Sequence, residues 1–200
     1  MPASLDKTGL FFGSFNPVHS GHMIIAEYFT EFTDLKELWF VVSPHNPLKK
    51  KKTLLDDAYR AEMVEIAIKN CPQYRLCDAE FRLPKPSYTI HTLAYLKEKH
   101  PSKSFVLIMG SDNLTTFDKW KNHQIILEDY QIYVYPRPDY PVGKIPEVFK
   151  EHHNVKIVDA PVIEISSSFI RDAVKKGKKL NYFLPEPVFK YIHEKGFYLK

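Results

Sequence analysis

The chain has 200 residues, 44% of them hydrophobic and 14% aromatic, with a formal net charge of +4. That length and apolar content predict one domain over residues 1–200 and exclude a disordered chain; no stretch approaches the roughly 20 apolar residues of a membrane span, so a cytoplasmic protein is expected. The mild positive charge suits anionic small molecules without requiring nucleic acid, and Cys71 and Cys77 lack the spacing of a disulfide or metal pair.

In chain order, Leu10-Phe11-Phe12 is a short apolar run, and Met23-Ile24-Ile25-Ala26-Glu27-Tyr28-Phe29 reads as a helix. The stretch between them, Gly13-Ser14-Phe15-Asn16-Pro17-Val18-His19-Ser20-Gly21-His22, is therefore predicted to sit on a strand-to-helix turn. Such a turn is a natural anion site. Gly13 lets the backbone pass close to a ligand, and the first amides of the following helix offer unpaired donors and a partial positive charge. His19 and His22 project from one side of the first turn if the helix begins near Ser20. Two imidazoles beside free amides suit a polyphosphate. The plainer alternatives are a metal pair, for which neither a His-Glu-x-x-His pattern nor an acidic or cysteine cluster is present, and ordinary surface histidines.

Residues 37–43 form a continuous apolar run of the kind found in buried parallel strands. The loop over residues 44–52 follows, carrying His45, Lys49 and a solvated lysine run. Asp56-Asp57 opens a helix with Met63, Val64, Ile66 and Ala67 at helical spacing and Arg60 near its start. Residues 74–78 are a third strand, and residues 81–86 a proline-broken connection. Ser87-Tyr88-Thr89 precedes a helix through Ile90, Leu93, Ala94 and Leu96, with Ser87 or Thr89 as its cap. The strand at 104–109 ends at Gly110-Ser111-Asp112-Asn113 and turns into a helical region with Leu114, Phe117 and Trp120. A strand at 131–135, closed by Pro136-Arg137-Pro138, a short helix at 146–152 and a last strand at 155–158 complete the alternation.

Repeated strand, helix, strand order predicts an α/β, Rossmann-like parallel sheet with helices on both faces. Ligands of such sheets bind beyond the carboxyl ends of the strands. The Gly-Ser-Phe motif, Pro44-His45, Gly110-Ser111-Asp112 and Pro136-Arg137 all follow strands at that end, so these loops should converge on one crevice. A second chemical stretch, Ile165-Ser166-Ser167-Ser168-Phe169-Ile170-Arg171, has the form of a helix N-terminus that offers hydroxyls and amides to a phosphate, with Arg171 one turn on. Taken alone, it reads more readily as an ordinary serine cap with Arg171 in solvent.

The first motif resembles the nucleotidyltransferase signature Gly-(Ser/Thr)-Phe-Asp-Pro-x-His-x-Gly-His, and residues 165–171 resemble the Ile-Ser-Ser-Thr-x-Ile-Arg segment of adenylyltransferases that carry it. Ser87-Tyr88-Thr89-Ile90-His91-Thr92-Leu93, the Gly110-Ser111-Asp112 segment with Trp120, and the ending from Leu184 to Tyr198 extend the likeness over almost the full length. Together these segments resemble the bacterial nicotinate-nucleotide adenylyltransferases of the His-x-Gly-His superfamily. Asn16 and His91 stand where that family usually has Asp, and Ser168 where it has Thr. Pantetheine-phosphate adenylyltransferases usually carry Thr at the position of His19; cytidylyltransferases add an Arg-Thr-x-Gly-(Ile/Val)-Ser-Thr segment that is absent from this sequence. Class I aminoacyl-tRNA synthetases need a much longer chain.

The resemblance implies an enzyme that joins ATP to nicotinate mononucleotide, giving deamido-NAD and pyrophosphate. With no serine, histidine and carboxylate trio and no activated cysteine apparent, direct attack by the mononucleotide phosphate is expected. On the resemblance, His19 and His22 are catalytic, and Gly13, Ser14, Phe15, Gly21, Ser167, Ser168 and Arg171 bind ATP and its phosphates. Tyr88, Thr89, Gly110, Asp112, Trp120 and Arg137 surround the mononucleotide, with His45 and Lys49 as loop contacts. Trp120 is alternatively a core aromatic beside Phe117. Mg2+ would be held mainly by ATP oxygens, with no metal site in the protein. No nucleic acid or membrane partner is expected, and homo-oligomer formation stays open. The alternatives are transfer to nicotinamide mononucleotide or phosphopantetheine, and a nucleotide sensor that does not turn its ligand over.

Overall fold

The computed structural model describes residues 5–44 and 54–199. Its first half alternates β1 (Lys7–Gly13), α1 (Ser20–Phe32), β2 (Glu37–Val42), α2 (Asp57–Ile68), β3 (Tyr74–Cys77), α3 (Ala79–Arg82) and α4 (Thr89–Lys99). The second half runs β4 (Ser104–Gly110), α5 (Ser111–Leu114), α6 (His123–Asp129), β5 (Gln131–Tyr135), α7 (Glu147–Lys150), β6 (Val155–Ile157), α8 (Ser167–Lys175) and α9 (Glu186–Lys195). Single 3-10 turns at Phe117–Lys119 and Val142–Lys144 join α5 to α6 and β5 to α7.

The strands form one six-stranded sheet in the order β3-β2-β1-β4-β5-β6, and every neighbouring pair is parallel. The expected α/β, Rossmann-like architecture is therefore the one observed. Both faces of the sheet are covered, which is why its strands read as unbroken apolar runs. Side chains alternate between two cores. Phe11, Phe40 and Ile108 pack with Phe29, Val64, Ile170 and Ile192 of α1, α2, α8 and α9. Leu10, Val41 and Leu107 point the other way, against Leu93, Leu114, Ile126 and Phe149 of α4 to α7. Each fully buried Phe or Leu contributes about 1.5–3 kcal/mol through apolar surface removed from water. The chain runs outward from β1 to β3, then returns to lay β4 against the other side of β1. The helices that leave β1 and β4 therefore diverge, and a crevice opens above the carboxyl ends of those two strands.

Some local expectations differ. The connection predicted at 81–86 begins with a helical turn, α3, because Ala79 and Glu80 tuck beneath the sheet edge before the prolines begin. Neither Ser87 nor Thr89 caps α4: Tyr88 is the cap residue, and its side chain makes no capping hydrogen bond. The helix α6 escaped the periodicity because only Ile126 and Leu127 of its seven residues are buried. No helix among the described residues is long and apolar enough to cross a membrane.

Candidate active site

At the end of β1 the chain folds tightly over itself. A Cβ on Gly13 would stand 2.7 Å from Cζ of Phe15, so only glycine lets the Phe15 ring turn back there. Phe15 takes φ 43°, a left-handed conformation that costs a residue with a side chain about 1–3 kcal/mol, offset by a ring that is 1% exposed. That ring packs 5.0 Å from His22, 5.5 Å from Phe40 and 5.9 Å from Phe11. The Phe15 ring therefore belongs to the core and braces His22 from behind, leaving only its backbone to meet a ligand.

The helix α1 begins at Ser20 with His19 as its cap residue, which puts both imidazoles on the first turn. Their ring centroids lie 3.7 Å apart. His22 Nδ1 accepts the His19 backbone N–H at 3.2 Å, so the proton of a neutral His22 sits on Nε2. Gly21 is required by the same packing, since a Cβ would fall 2.9 Å from Cγ2 of Ile163 and 3.1 Å from Nδ1 of His19. His19 is 4% exposed. Burial, helped by the positive charge of Arg137, holds its pKa down at about 3, so its imidazole is neutral at ordinary pH.

The start of α8 is stitched to this loop. Ser166 Oγ accepts the Phe169 N–H at 3.2 Å as a true cap, and Ser167 Oγ donates to the Pro17 carbonyl at 3.0 Å. Arg171 donates to the Asn16 carbonyl at 2.9 Å and to Ser168 Oγ at 3.1 Å. Asn16, where the resembling family has Asp, is 1% exposed, and its Oδ1 accepts from the Leu55 N–H at 3.3 Å and the Tyr198 hydroxyl at 2.9 Å.

Arg60 went unrecognised in the sequence beyond its place on α2. It is 0% exposed, and its guanidinium donates to the carbonyls of Ser14, Ser43 and Leu55 and to the Asp57 carboxylate. It thereby ties the exits of β1 and β2 to the segment before α2. The readable signal is an arginine flanked by Ala61, Met63 and Val64 on the buried face of a helix.

The crevice has two lobes that share Phe11, Phe12, Gly13, Ser14, Asn113 and Tyr135. One, of about 370 Å³, collects His19, Gly21, His22, Ser167, Ser168 and Arg171. The other, of about 250 Å³, collects Tyr88, Thr89, Gly110 and Trp120. Asp112 and Arg137, expected around the mononucleotide, line the histidine lobe. They approach each other to 3.9 Å, and Ser111 Oγ, which accepts the Arg137 N–H at 2.9 Å, holds the backbone of β5 in that direction. His45 and Lys49 lie outside the described residues. In the second lobe the Trp120 ring stands 5.4 Å from Phe117 and the Lys121 ammonium 4.5 Å over the Tyr88 ring.

Buried polar atoms are almost always hydrogen-bonded, so the exceptions are informative. Among the described residues six buried side-chain atoms lack a partner: His19 Nδ1, Trp120 Nε1, Glu80 Oε2 and Ser87 Oγ belong to residues of the two lobes, while Trp39 Nε1 and Gln131 Oε1 lie elsewhere. Four of the six thus gather around the cleft, which suits a polar ligand.

The profile of the cytidylyltransferase-like family matches residues 10–173. A probable nicotinate-nucleotide adenylyltransferase of Flavobacterium johnsoniae is 50% identical over 97% of this chain and 100% of its own length. The corresponding protein of Christiangramia forsetii is 51% identical over 96% of this chain and 98% of its own. In three dimensions the chain resembles a Plasmodium falciparum nicotinic acid mononucleotide adenylyltransferase complexed with NaAD, with a TM-score of 0.79 at 21% identity, covering 96% and 97% of the two chains. At that identity the structural likeness speaks for the fold, while the sequence likeness runs through both motifs and the whole sheet. The chain belongs to the cytidylyltransferase-like family and, within it, to the nicotinate-nucleotide adenylyltransferases.

Proposed function

We propose that this chain, acting as one unit over residues 1–200, is an enzyme that joins ATP and nicotinate mononucleotide to give deamido-NAD and pyrophosphate. The observation that carries this function is the two-lobed cleft, whose lobes meet at the exit of β1 beside the paired histidines. The aromatic lobe suits a pyridine mononucleotide and the histidine lobe suits ATP, which would bring the mononucleotide phosphate to the α-phosphorus.

The nucleophile is the phosphate monoester itself, so attack is direct and in line, with no covalent enzyme intermediate and pyrophosphate as the leaving group. The protein's part is alignment and charge stabilisation. His22, with its proton on Nε2, donates to an oxygen on the reacting phosphorus, and neutral His19 beside it donates rather than carrying charge. Arg171, fixed by Asn16 and Ser168, supplies the positive charge for the departing β and γ oxygens, with Ser168 and the amides at the start of α8 beside it. Ser167 acts on the loop through Pro17. The histidine lobe offers imidazoles, hydroxyls and a guanidinium rather than a carboxylate cage, a donor set that fits a Mg2+ carried in on ATP oxygens; bound there, the ion neutralises phosphate charge. Such a reaction belongs in the cytoplasm and needs no nucleic acid.

The test is pyrophosphate release with ATP and Mg2+, comparing nicotinate mononucleotide, nicotinamide mononucleotide and phosphopantetheine. Turnover with the nicotinate substrate above the others is expected. ATP binding without pyrophosphate release from any of them would overturn the function in favour of a sensor.

A further inference from the structure

Glu80 is 2% exposed, yet it faces the aromatic lobe. One of its carboxyl oxygens, Oε1, accepts the Thr92 hydroxyl at 2.9 Å. The other, Oε2, has no partner, and neither has Ser87 Oγ, which lines the same lobe and is 8% exposed. Burial of an oxygen with neither a cation nor a hydrogen-bond donor in place disfavours the charged form of this carboxyl. An ionised carboxylate this deeply buried would need a paired cation. Among the described residues none acts on it; the groups that face it are the hydroxyls of Ser43, Ser87 and Thr92. The nearby Cys77 thiol is pushed up to about 11 by burial and stays neutral, and the lysines of the lobe, Lys119 and Lys121, line it without pairing with Glu80.

We infer that Glu80 is a specificity-determining residue: its neutral carboxyl, with the Ser87 hydroxyl beside it, reads the acidic substituent on the pyridine ring and selects a carboxylate over a carboxamide. A carboxylate only accepts hydrogen bonds and takes the Oε2–H, whereas a carboxamide presents its own donors and matches that hydroxyl less well. Once ionised, Glu80 becomes a like charge facing the nicotinate group. Burial raises the Glu80 pKa, so the neutral form persists to higher pH than for an exposed glutamate. The inference rests on the proposed function, because the acidic substituent belongs to that substrate.

The experiment measures the ratio of kcat/KM for nicotinate mononucleotide to that for nicotinamide mononucleotide on the whole chain, from acid through alkaline pH. ATP and the phosphate monoester are common to both arms, so their titrations cancel, and the nicotinate carboxyl is ionised throughout. In wild type the ratio is expected to fall about tenfold or more as Glu80 ionises, the minimum for like charges in contact away from bulk water. Glu80→Gln, neutral at every pH and still an N–H donor, should hold a high, flat ratio. Thr92→Val removes the hydroxyl that favours the charged form, so it should move the fall to higher pH; it serves if the Gln variant does not fold. A flat wild-type ratio, a Glu80→Gln ratio that falls in parallel with wild type, or an unmoved midpoint in Thr92→Val overturns the inference while leaving the adenylyltransferase function standing. If wild type releases no pyrophosphate with either mononucleotide, that function falls and the inference with it.

Discussion

Replacing Arg60 with Met should destabilise the fold by about 3–5 kcal/mol, the range for breaking a buried ionic network. The guanidinium is wholly enclosed, with Nε donating to the Leu55 carbonyl at 3.0 Å and Nη1 to the Ser43 carbonyl at 2.9 Å and to the Ser14 carbonyl. Met fills most of the apolar stem's volume, so the cost comes chiefly from four carbonyls left without a donor, those of Ser14, Ser43, Leu55 and, at 3.5 Å, Pro44, each worth about 1–3 kcal/mol. The Asp57 carboxylate adds little, because it keeps Lys85 at 3.3 Å and is partly exposed. A loss of that size corresponds to a fall in Tm of about 6–20 °C for a chain of this length. Urea unfolding should show it as a lower midpoint with an unchanged slope. Arg60→Lys should recover little, because one ammonium cannot reproduce the planar fork. A loss under about 1 kcal/mol would refute the reasoning, since it would mean that water can reach and satisfy those carbonyls.

Three further outcomes follow from the same cleft. His22→Ala should slow pyrophosphate release about a hundred- to a thousandfold, the cost of one preorganised donor, while ATP binding by calorimetry changes far less; equal losses in both would remove the transition-state role. Gly21→Ala forces a methyl to within 2.9 Å of Ile163 and 3.1 Å of His19, so kcat should drop about tenfold to a hundredfold as the ring shifts, and a wild-type kcat would show that the loop absorbs it. His19, held at about 3, should show no NMR titration near 6.5 in the unliganded protein. The unfolded chain binds a proton that the native imidazole refuses, so the stability His19 contributes should shrink as pH falls from 6.5 towards 3, read as a closing gap between wild type and His19→Asn in urea midpoints.

The strands were legible because a parallel sheet covered on both faces leaves runs such as Leu38-Trp39-Phe40-Val41-Val42 with no polar interruption. The histidine turn was legible because glycine, proline and imidazole are each tied to a backbone or chemical demand. What the sequence hid are consequences of folding at long range. Arg60 acts on carbonyls of Ser14 and Ser43, which are distant in sequence, and a backbone acceptor leaves no mark in residue type. Phe15 looked like part of a ligand motif, yet its ring serves the core, and only the left-handed turn reveals it. Asp112 and Arg137 follow the neighbouring strands β4 and β5, so chain order could not say which lobe they would face. Glu80 lay between the strand expected at 74–78 and the connection expected at 81–86, and only its burial beside Ser87 and Thr92 marks it out.

The bond from the Tyr198 hydroxyl to Asn16 spans 182 residues of sequence. During synthesis the amino-terminal half of a chain emerges and begins to fold first. The sheet from β1 to β5 can therefore form while Asn16 still lacks the Tyr198 hydroxyl, and the histidine turn gains that support only after Tyr198 has left the ribosome. Completion of the turn's hydrogen bonding is thus a late event of assembly. A nascent or proteolytically trimmed chain that stops short of Tyr198 would carry the complete signature sequence, pass for folded by its helix and sheet content, and still present a turn that has lost a strut.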